Sequence, residues 1–596
     1  MIKLNNWMVQ PTQAYEQPSS SISPESVSSM DDDLEFEACN YLSFQTETVE
    51  TLQDHCLRIE ASADCPFDIP AARKHLDAEQ WERAIESELE SLVENDVYTW
   101  VPRPEKAAGI LLVPSRVVFT RKPDEMLQLT KPKCRIVAKG YTQIEGVHYE
   151  ETYAPTAKLT TIRALFAKAV KENLIVHQMD VKTAFLYAPI DKQIYMEPPR
   201  GIDHPQGFVW KLNKALYGLK QAPHLWNNTL HEFLVSKGFK RLFADPCMYQ
   251  LHVSDKKYVE IAVYVDDLIL AATHEDILMQ TKEYLSAQFQ MKDMGLCRYC
   301  LGIQITPTTT GVKLHSTQLI KDILKRFNME NCNPSKVPMD LSPLGRPLVP
   351  AEQDFPYREL VGSLQYISMT TRPDITHAVS QLSRHLNNFD ESHWKAAKKV
   401  LRYLKGTKDM GINYSKSGTA LPETYCQYRY NGPKSDEVVG REITCFADAD
   451  FGGSKLDRRS NSGNVNMYAG GPISWFSKVQ PTVALSTLEA EYMSMSRAAQ
   501  EIIWLRLLLK EMNIDNCAQP TTLIGDNQGC LSTVINDKIT QNVKHIDIRH
   551  HFLRERVRSG ELSVAHCSSN EMLADILTKP LNNIKFVSIR DKMGIQ

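Results

Sequence analysis

Two adjacent carboxylates, Asp266 and Asp267, stand between the apolar, β-prone runs Ile261-Ala262-Val263-Tyr264-Val265 and Leu268-Ile269-Leu270. Such runs predict two buried strands of a hairpin with the acids at its tip, where glycine or asparagine is the usual turn residue. Carboxylates that close resist joint ionisation unless a cation neutralises them. Magnesium suits the task, because it takes oxygen ligands and bridges carboxylates to substrate phosphates. An Asp pair alone is more often solvated turn chemistry, so a metal site needs a further acid from another element. Asp180 supplies one: it stands in the apolar strand His177–Val181, 86 residues upstream of Asp266 and just before a turn. Asp180 and Asp266 could hold two magnesium ions roughly 4 Å apart, one activating an attacking hydroxyl and the other stabilising a leaving pyrophosphate. The carbonyl of Val181 is an extra ligand, and Asp267 would tune the charge of the site more than bind metal.

A second acidic set lies near the C-terminus. Phe446-Ala447-Asp448-Ala449-Asp450 ends a strand, Ser486-Thr487-Leu488-Glu489-Ala490-Glu491 starts a helix, Leu523-Ile524-Gly525-Asp526 ends another strand, and Met572-Leu573-Ala574-Asp575 opens a last helical turn. Acids converging from four elements are expensive to bury unless metals neutralise them.

The elements that must position these groups are legible from periodicity. Trp81, Ile85, Leu89 and Leu92 predict one helical face that Asn95 stops. Strands are expected at Val113–Thr120 and Arg135–Ala138 around a Pro123-Asp124 turn, then helices at Thr160–Ala169, Thr229–Lys237, Asp276–Phe289, Gln318–Phe327, Tyr357–Met369 and Ser392–Lys405. A new β-rich module starts at Thr444 and turns helical at Ser486–Met512. The domain reading is an acidic disordered tail over 1–66, a first unit over 67–335, a linker with connecting helices over 336–440, a second unit over 441–583 and a C-terminal tail over 584–596. Lys395, Lys398, Lys399, Arg402 and Lys405 recur at helical spacing, a pattern that fits phosphate contact with a duplex or an ordinary solvated face.

Composition bounds the class. The 596 residues are 42% hydrophobic and 23% charged, the balance of a soluble globular protein with several domains. No apolar stretch approaches a membrane span and no signal-peptide pattern opens the chain, so an intracellular protein without membrane partners is expected. Net charge is -4, but residues 1–60 hold 2 Lys+Arg against 11 Asp+Glu, so the body is mildly basic. Among thirteen cysteines the one close pair, Cys297 and Cys300, has no second pair to complete a zinc cage, and both read as reduced strand thiols.

Taken in order, the motifs resemble those of copia-type long-terminal-repeat retrotransposon polyproteins. Asp180 in its strand, Leu216-Tyr217-Gly218-Leu219-Lys220-Gln221-Ala222-Pro223, and the Tyr264-Val265-Asp266-Asp267 hairpin match the successive polymerase motifs of their reverse transcriptases. Lys133-Cys134-Arg135-Ile136-Val137-Ala138-Lys139-Gly140, Asp293-Met294-Gly295, Thr371-Arg372-Pro373-Asp374-Ile375 and Thr578-Lys579-Pro580 agree in order, so that about residues 78–583 are similar. The resemblance implies an α+β, α/β multidomain fold: a right-hand polymerase of fingers, palm and thumb, a connection, and a ribonuclease H-like mixed α/β domain. It implies that Asp180, Asp266 and Asp267 serve polymerisation, with Lys133 and Arg135 gripping the nucleotide triphosphate. Phe185 would be the steric gate against a ribose 2′-hydroxyl, and Gln221 would lie near the sugar and base. Gly218 would let the backbone approach the template, and Tyr264 would border the substrate. In the last domain it selects Asp448, Glu491, Asp526 and Asp575 as metal ligands over Asp450 and Glu489.

The implied function is RNA-directed DNA polymerisation coupled to ribonuclease H cleavage, with two Mg2+ ions per site and Mn2+ as the alternative ion. Expected partners are an RNA template, a DNA primer and product, dNTPs and an RNA/DNA hybrid, in a cytoplasmic retroelement particle or the nucleus. The chain carries no Asp-Ser/Thr-Gly protease motif, no Cys-Cys-His-Cys knuckle and no integrase His/Cys cluster, so gag and integrase would come in trans. Family members usually have Asn-Gly where this chain has Tyr187-Ala188, and Trp-Ala where it has Phe451-Gly452. The competing reading is a catalytically silent nucleic-acid-binding or scaffold remnant of a truncated retroelement.

Overall fold

A computed structural model of the protein describes residues 65–105, 110–123, 129–342, 344–347, 355–418, 443–515, 517–535 and 547–596. Nearly all of the expected acidic tail lies outside the described residues, as does Asp124. Among the described residues no helix is long and apolar enough to cross a membrane.

The first helix runs Ala78–Glu94, buries Trp81, Ile85 and Leu92, and stops at Asn95. Glu88 is buried on it too and accepts a hydrogen bond from the Ile136 amide at 3.0 Å. That bond ties the helix to an antiparallel hairpin of Ser115–Pro123 and Leu129–Ala138.

The first acidic set rests on a six-stranded, wholly antiparallel sheet. Its order is Met291–Leu296, Ile175–Val181, Asp267–Ala272, Lys257–Tyr264, Met248–Ser254 and Lys240–Arg241. The central strands are largely apolar because both of their faces are covered, with Glu260, His177 and Gln178 among the polar exceptions. Period two sends Val259, Ile261, Val263, Leu268 and Leu270 into one core with Trp226, Leu230 and Leu285, and Ala262, Tyr264, Ile269 and Ala271 into another with Ile162, Leu165 and Phe166. Cys297 and Cys300 are buried free thiols; Cys300 lies in the short strand Tyr299–Cys300 and Cys297 just after the sheet's edge strand.

The second core does not stop at the sheet. It continues through helices Tyr357–Thr370, Thr376–Ser383 and Glu391–Gly406 into the C-terminal module and on to Ile595. Helix Leu159–Glu172, buried nearly all round, is the junction. On it the Arg163 guanidinium donates to the carbonyls of Ile473 (2.7 Å) and Met369 (2.6 Å) and lies 4.0 Å over the Trp475 ring. The buried Lys168 ammonium donates to Glu260 Oε1 (2.7 Å) and to the carbonyl of Met512 (2.5 Å), which caps the C-terminus of the long helix Thr487–Glu511. A cation there also complements the negative end of the helix dipole.

Two expectations change. Residues 584–596 are no tail: helix Asn583–Lys592 buries Phe586 and Ile589, its Phe586 ring meets Tyr403 edge-on at 5.5 Å, and Ile595 bridges to Ile412. Apolar residues at Phe586, Ile589, Met593 and Ile595 required a cover, and the core supplies it. The basic stripe of Glu391–Gly406 is spent inside the chain. Lys399 pairs with Asp340, Arg402 and Lys405 donate to the carbonyls of Asn333 (2.7 Å) and Cys332 (2.6 Å), and Lys395 pairs with Glu391. These cations strap residues 332–340 to the helix.

The C-terminal module is a mixed five-stranded sheet of order Gly471–Val479, Asn461–Tyr468, Thr444–Ala449, Thr521–Gly525 and Leu562–His566. The first three are antiparallel neighbours, and the last two run parallel to Thr444–Ala449. Helix Thr487–Glu511, started by the Ser486 hydroxyl accepting from Glu489 N (3.1 Å), packs against it.

Candidate active sites

The first site forms where two apolar strands meet at a tight turn. Tyr264 pairs with Asp267, which leaves Val265 and Asp266 as the connecting residues, and Asp267 in turn lies opposite Asp180 on the next strand. Val265 adopts φ +56°, a left-handed conformation that costs a β-branched residue of order 1–3 kcal/mol and persists only where neighbours hold it. Two neighbours do. The Trp226 indole donates to the Val265 carbonyl at 2.7 Å, and the Val181 amide donates to the Asp266 carbonyl at 2.9 Å. Asp267 Oδ1 accepts from the Gln178 amide at 2.9 Å. The structure therefore brings Asp180, Val181, Asp266 and Asp267 to one sheet edge, all three acids partly exposed. Their carboxylate oxygens are the hard donors that magnesium takes.

The wall facing these acids is built by a residue the sequence reading quoted without assigning a role. The Tyr217 ring lies 4.9 Å beneath the Arg135 guanidinium and 5.0 Å from the Phe185 ring. Burial pushes the Tyr217 phenol up, Arg135 works against this, and the charges of Asp266, Glu88 and Asp180 reinforce it. Tyr217 thus joins the hairpin's Arg135 to Phe185 of the turn after Asp180; its place directly before Gly218 was the available signal. Arg135 is half-buried, its Nε–H is buried without an acceptor, and Lys133 lies two residues earlier on the same strand. That orphaned donor suits an anionic ligand.

Three assignments fare differently. Gly218 has φ +88°, and a Cβ there would lie 2.2 Å from the Ala138 carbonyl oxygen. The close approach at this exposed glycine is made by the end of the chain's own hairpin. Gln221 is fully buried: its Oε1 accepts from Gln143 (3.1 Å), and its amide donates to the His148 carbonyl (2.8 Å) and to Asp191 (3.3 Å). It is a brace, with its amide spent before any nucleotide arrives. Tyr264 is buried in the core behind the turn, so it supports the acids without bordering the cleft.

The second site is closed where the first is open. Asp448 lies near the end of the central strand, Asp526 just past its parallel neighbour, and Asp575 in the turn Leu573–Leu577; one carboxylate oxygen from each lies within 4.8 Å of the others. Asp448 and Asp575 are buried, and Asp526 is partly exposed. Glu491, one helical turn into Thr487–Glu511, lies outside that 4.8 Å grouping but near enough to feel it: burial and then the charges of Asp448 and Asp526 push its carboxyl well up. Burial also pushes Asp448 up to about 7, with Lys579 opposing and Asp575 and Asp526 adding to it.

Cations already stand in this cluster. The Lys579 ammonium is 2.7 Å from Asp575 Oδ1 and 3.4 Å from Asp448 Oδ2, and Lys585 pairs with Asp575 Oδ2. The Thr578 hydroxyl donates to Asp448 Oδ2, and Ser569 Oγ donates to Asp526 Oδ2 at 2.7 Å. The remaining members of the doublets have other duties. Glu489 Oε2 accepts from the Leu485 amide (2.6 Å), and Asp450 accepts from the Asn461 amide. Four carboxyl groups in one place suit a divalent ion.

Residues 95–341 match the family described as reverse transcriptase (RNA-dependent DNA polymerase). The chain is 35% identical over 542 residues to the retrovirus-related Pol polyprotein from transposon TNT 1-94 of Nicotiana tabacum, covering 89% of this chain and 39% of that one. It therefore spans about two fifths of that relative. It is 33% identical over 330 residues to a transposon Ty5-1 protein of Saccharomyces cerevisiae, covering 54% of this chain and 100% of the relative. Among solved structures, a foamy viral protease-reverse transcriptase in complex with double-stranded DNA is similar at TM-score 0.45 and 14% identity, over 82% of this chain and 70% of that one.

Proposed function

The chain belongs to the copia-type retrotransposon Pol polyproteins, and from that membership we propose an RNA-directed DNA polymerase that also cleaves the RNA of RNA/DNA hybrids. Residues 95–341 are its reverse transcriptase domain. The observation that carries the polymerase reading is Asp266, presented beside Asp180 by a strained turn that Trp226 and Val181 clamp. Strain held in place at a cluster of acids is a mark of a working site. Magnesium held by Asp180, Asp266 and the Val181 carbonyl, with manganese as the alternative, would neutralise phosphate charge and make the primer hydroxyl a better nucleophile.

The chain's own side chains do the rest. Arg135, with Lys133 beside it, binds the triphosphate of the incoming dNTP through a planar fork of donors. Phe185, backed by Tyr217, lies under the sugar and leaves no room for a 2′-hydroxyl. Template RNA and primer DNA lie across the cleft between hairpin and sheet. In the C-terminal module, Asp448, Glu491, Asp526 and Asp575 would hold the ions for phosphodiester hydrolysis, and the 2′-hydroxyl marks the RNA strand. Three antiparallel strands followed by two parallel ones, with acids at adjacent strand ends, support a ribonuclease H-like fold for this module.

Two variants test the halves separately. Asp266→Asn should lower primer extension on an RNA template by about 10³-fold or more while hybrid cleavage persists, and Asp526→Asn should do the reverse. Extension that survives Asp266→Asn sinks the polymerase assignment; cleavage that survives Asp526→Asn sinks the nuclease one.

A further inference from the structure

We propose that Lys579 is a built-in counter-cation of the C-terminal acid cluster, seated where a divalent ion must bind, so that metal loading requires its ammonium to leave. The inference rests on reading Asp448, Glu491, Asp526 and Asp575 as metal ligands. Asp448 and Asp575 are buried to 1% and 0% exposure, and carboxylates so placed need a positive charge at contact distance. Lys579 supplies it by spanning Asp575 Oδ1 (2.7 Å) and Asp448 Oδ2 (3.4 Å), on two carboxylates of the cluster that an ion would claim. Ammonium and divalent cation contend for one set of donors, and like charges do not share it.

The two lysines of the cluster differ in how they are held. Lys585 takes the other oxygen of Asp575 and also donates to the Ser569 carbonyl at 2.6 Å, so it is anchored on both sides. Asp575 and Asp448, the carboxylates that the Lys579 ammonium pairs with, are both prospective ligands. Its side chain is 35% exposed, which gives it a way out to solvent. Its amide donates to the Asp575 carbonyl at 3.2 Å, so the backbone can stay while the side chain swings. An ammonium released at the rim of an acid site is left where a nucleic-acid phosphate would come to lie. Lys579 is therefore a gate with two seats, the acids without metal and the substrate backbone with it.

The test measures metal binding, not turnover. In the full chain carrying Asp180→Asn and Asp266→Asn to silence the first site, free Mn2+ is followed by electron paramagnetic resonance. Lys579→Gln should bind Mn2+ about tenfold more tightly than its parent, and Lys579→Arg no more tightly. Lys579→Gln should also melt lower than its parent in EDTA and gain more from added Mn2+. Equal or weaker Mn2+ binding by Lys579→Gln overturns the proposal. Should that variant fail to fold, amine labelling of the parent read by mass spectrometry decides: Lys579 should react faster with Mn2+ present, and unchanged labelling overturns it. Adding Asp526→Asn separates the two claims. If Mn2+ binding ignores that change, the four-acid metal reading has failed; if Asp526→Asn weakens binding while Lys579→Gln leaves it alone, only the gate has.

Discussion

The two acidic sites solve one electrostatic problem in different ways. At the hairpin turn, Asp180, Asp266 and Asp267 remain partly exposed, so water carries much of the cost of their charge, and the structure spends its effort on backbone geometry through the left-handed Val265. In the C-terminal module none of the four acids sits beside a left-handed residue, but Asp448 and Asp575 are buried and two lysines and a threonine hold their oxygens. An open site can wait for its cation. A closed one has to bring cations of its own, and Asp575, whose two oxygens they take, then contributes to the stability of the fold.

The sharpest way to break that contrast is to neutralise one acid in each site and compare stabilities. Asp575→Asn deprives Lys579 and Lys585 of a shared carboxylate and should lower the unfolding free energy in urea by about 2 kcal/mol, discounted because both ammoniums are partly exposed. Asp266→Asn should change it by less than about 0.5 kcal/mol. Equal losses would mean that the sites are not differently built.

A pH series sharpens the comparison further. Burial raises Asp448 to about 7 in the folded chain, from an ordinary carboxylate value near 3.8, and raises Glu491 as well. Between about pH 4 and 7 the folded state thus keeps protons that the unfolded state has released, so these groups favour folding less as pH rises through that window. In EDTA, thermal melts of the parent should fall from pH 5.5 to 7.5, and Asp448→Asn should flatten the slope. A slope untouched by Asp448→Asn would place the titrating group elsewhere. The smallest effect is expected at the turn. Val265→Gly removes the left-handed strain but loosens the unfolded chain, so stability should move by under about 1 kcal/mol, while primer extension drops several-fold as Asp266 loses its fixed position. Unchanged extension would mean that the strain serves no purpose.

What was legible in the sequence follows from what each signal can encode. Asp180 and Asp266 could be paired because largely apolar strands ending in acids constrain both register and face, and the antiparallel register does set Asp267 opposite Asp180. The loop Leu216–Pro223 offered no such period, so nothing in it said which side chains point inward. Gln221 turned into the core, Tyr217 turned to the acids, and Gly218 served a contact between the end of the hairpin and its own loop. The partners of the basic stripe at Lys395–Lys405 were hidden for another reason. Spacing shows that cations share a face, but the carbonyls of residues 332 and 333, which meet that face, come from a distant, aperiodic segment. Lys579 lay inside a motif with Asp575 four residues before it, yet its other partner, Asp448, comes from a strand 131 residues earlier in the chain.

The ion pair of Lys168 with Glu260 carries a consequence for how the chain is made. The third group on that ammonium, the carbonyl of Met512, lies 344 residues further along. At a synthesis rate of ~5–20 residues per second, roughly 20–70 s pass between the two. For that interval a nascent chain holds a finished catalytic sheet whose rear helix, with an ammonium and a row of apolar side chains, has no cover. Cellular chaperones would meet the first module as an unfinished protein until the C-terminal one is translated, so a ribosome that stops early would yield a client for degradation.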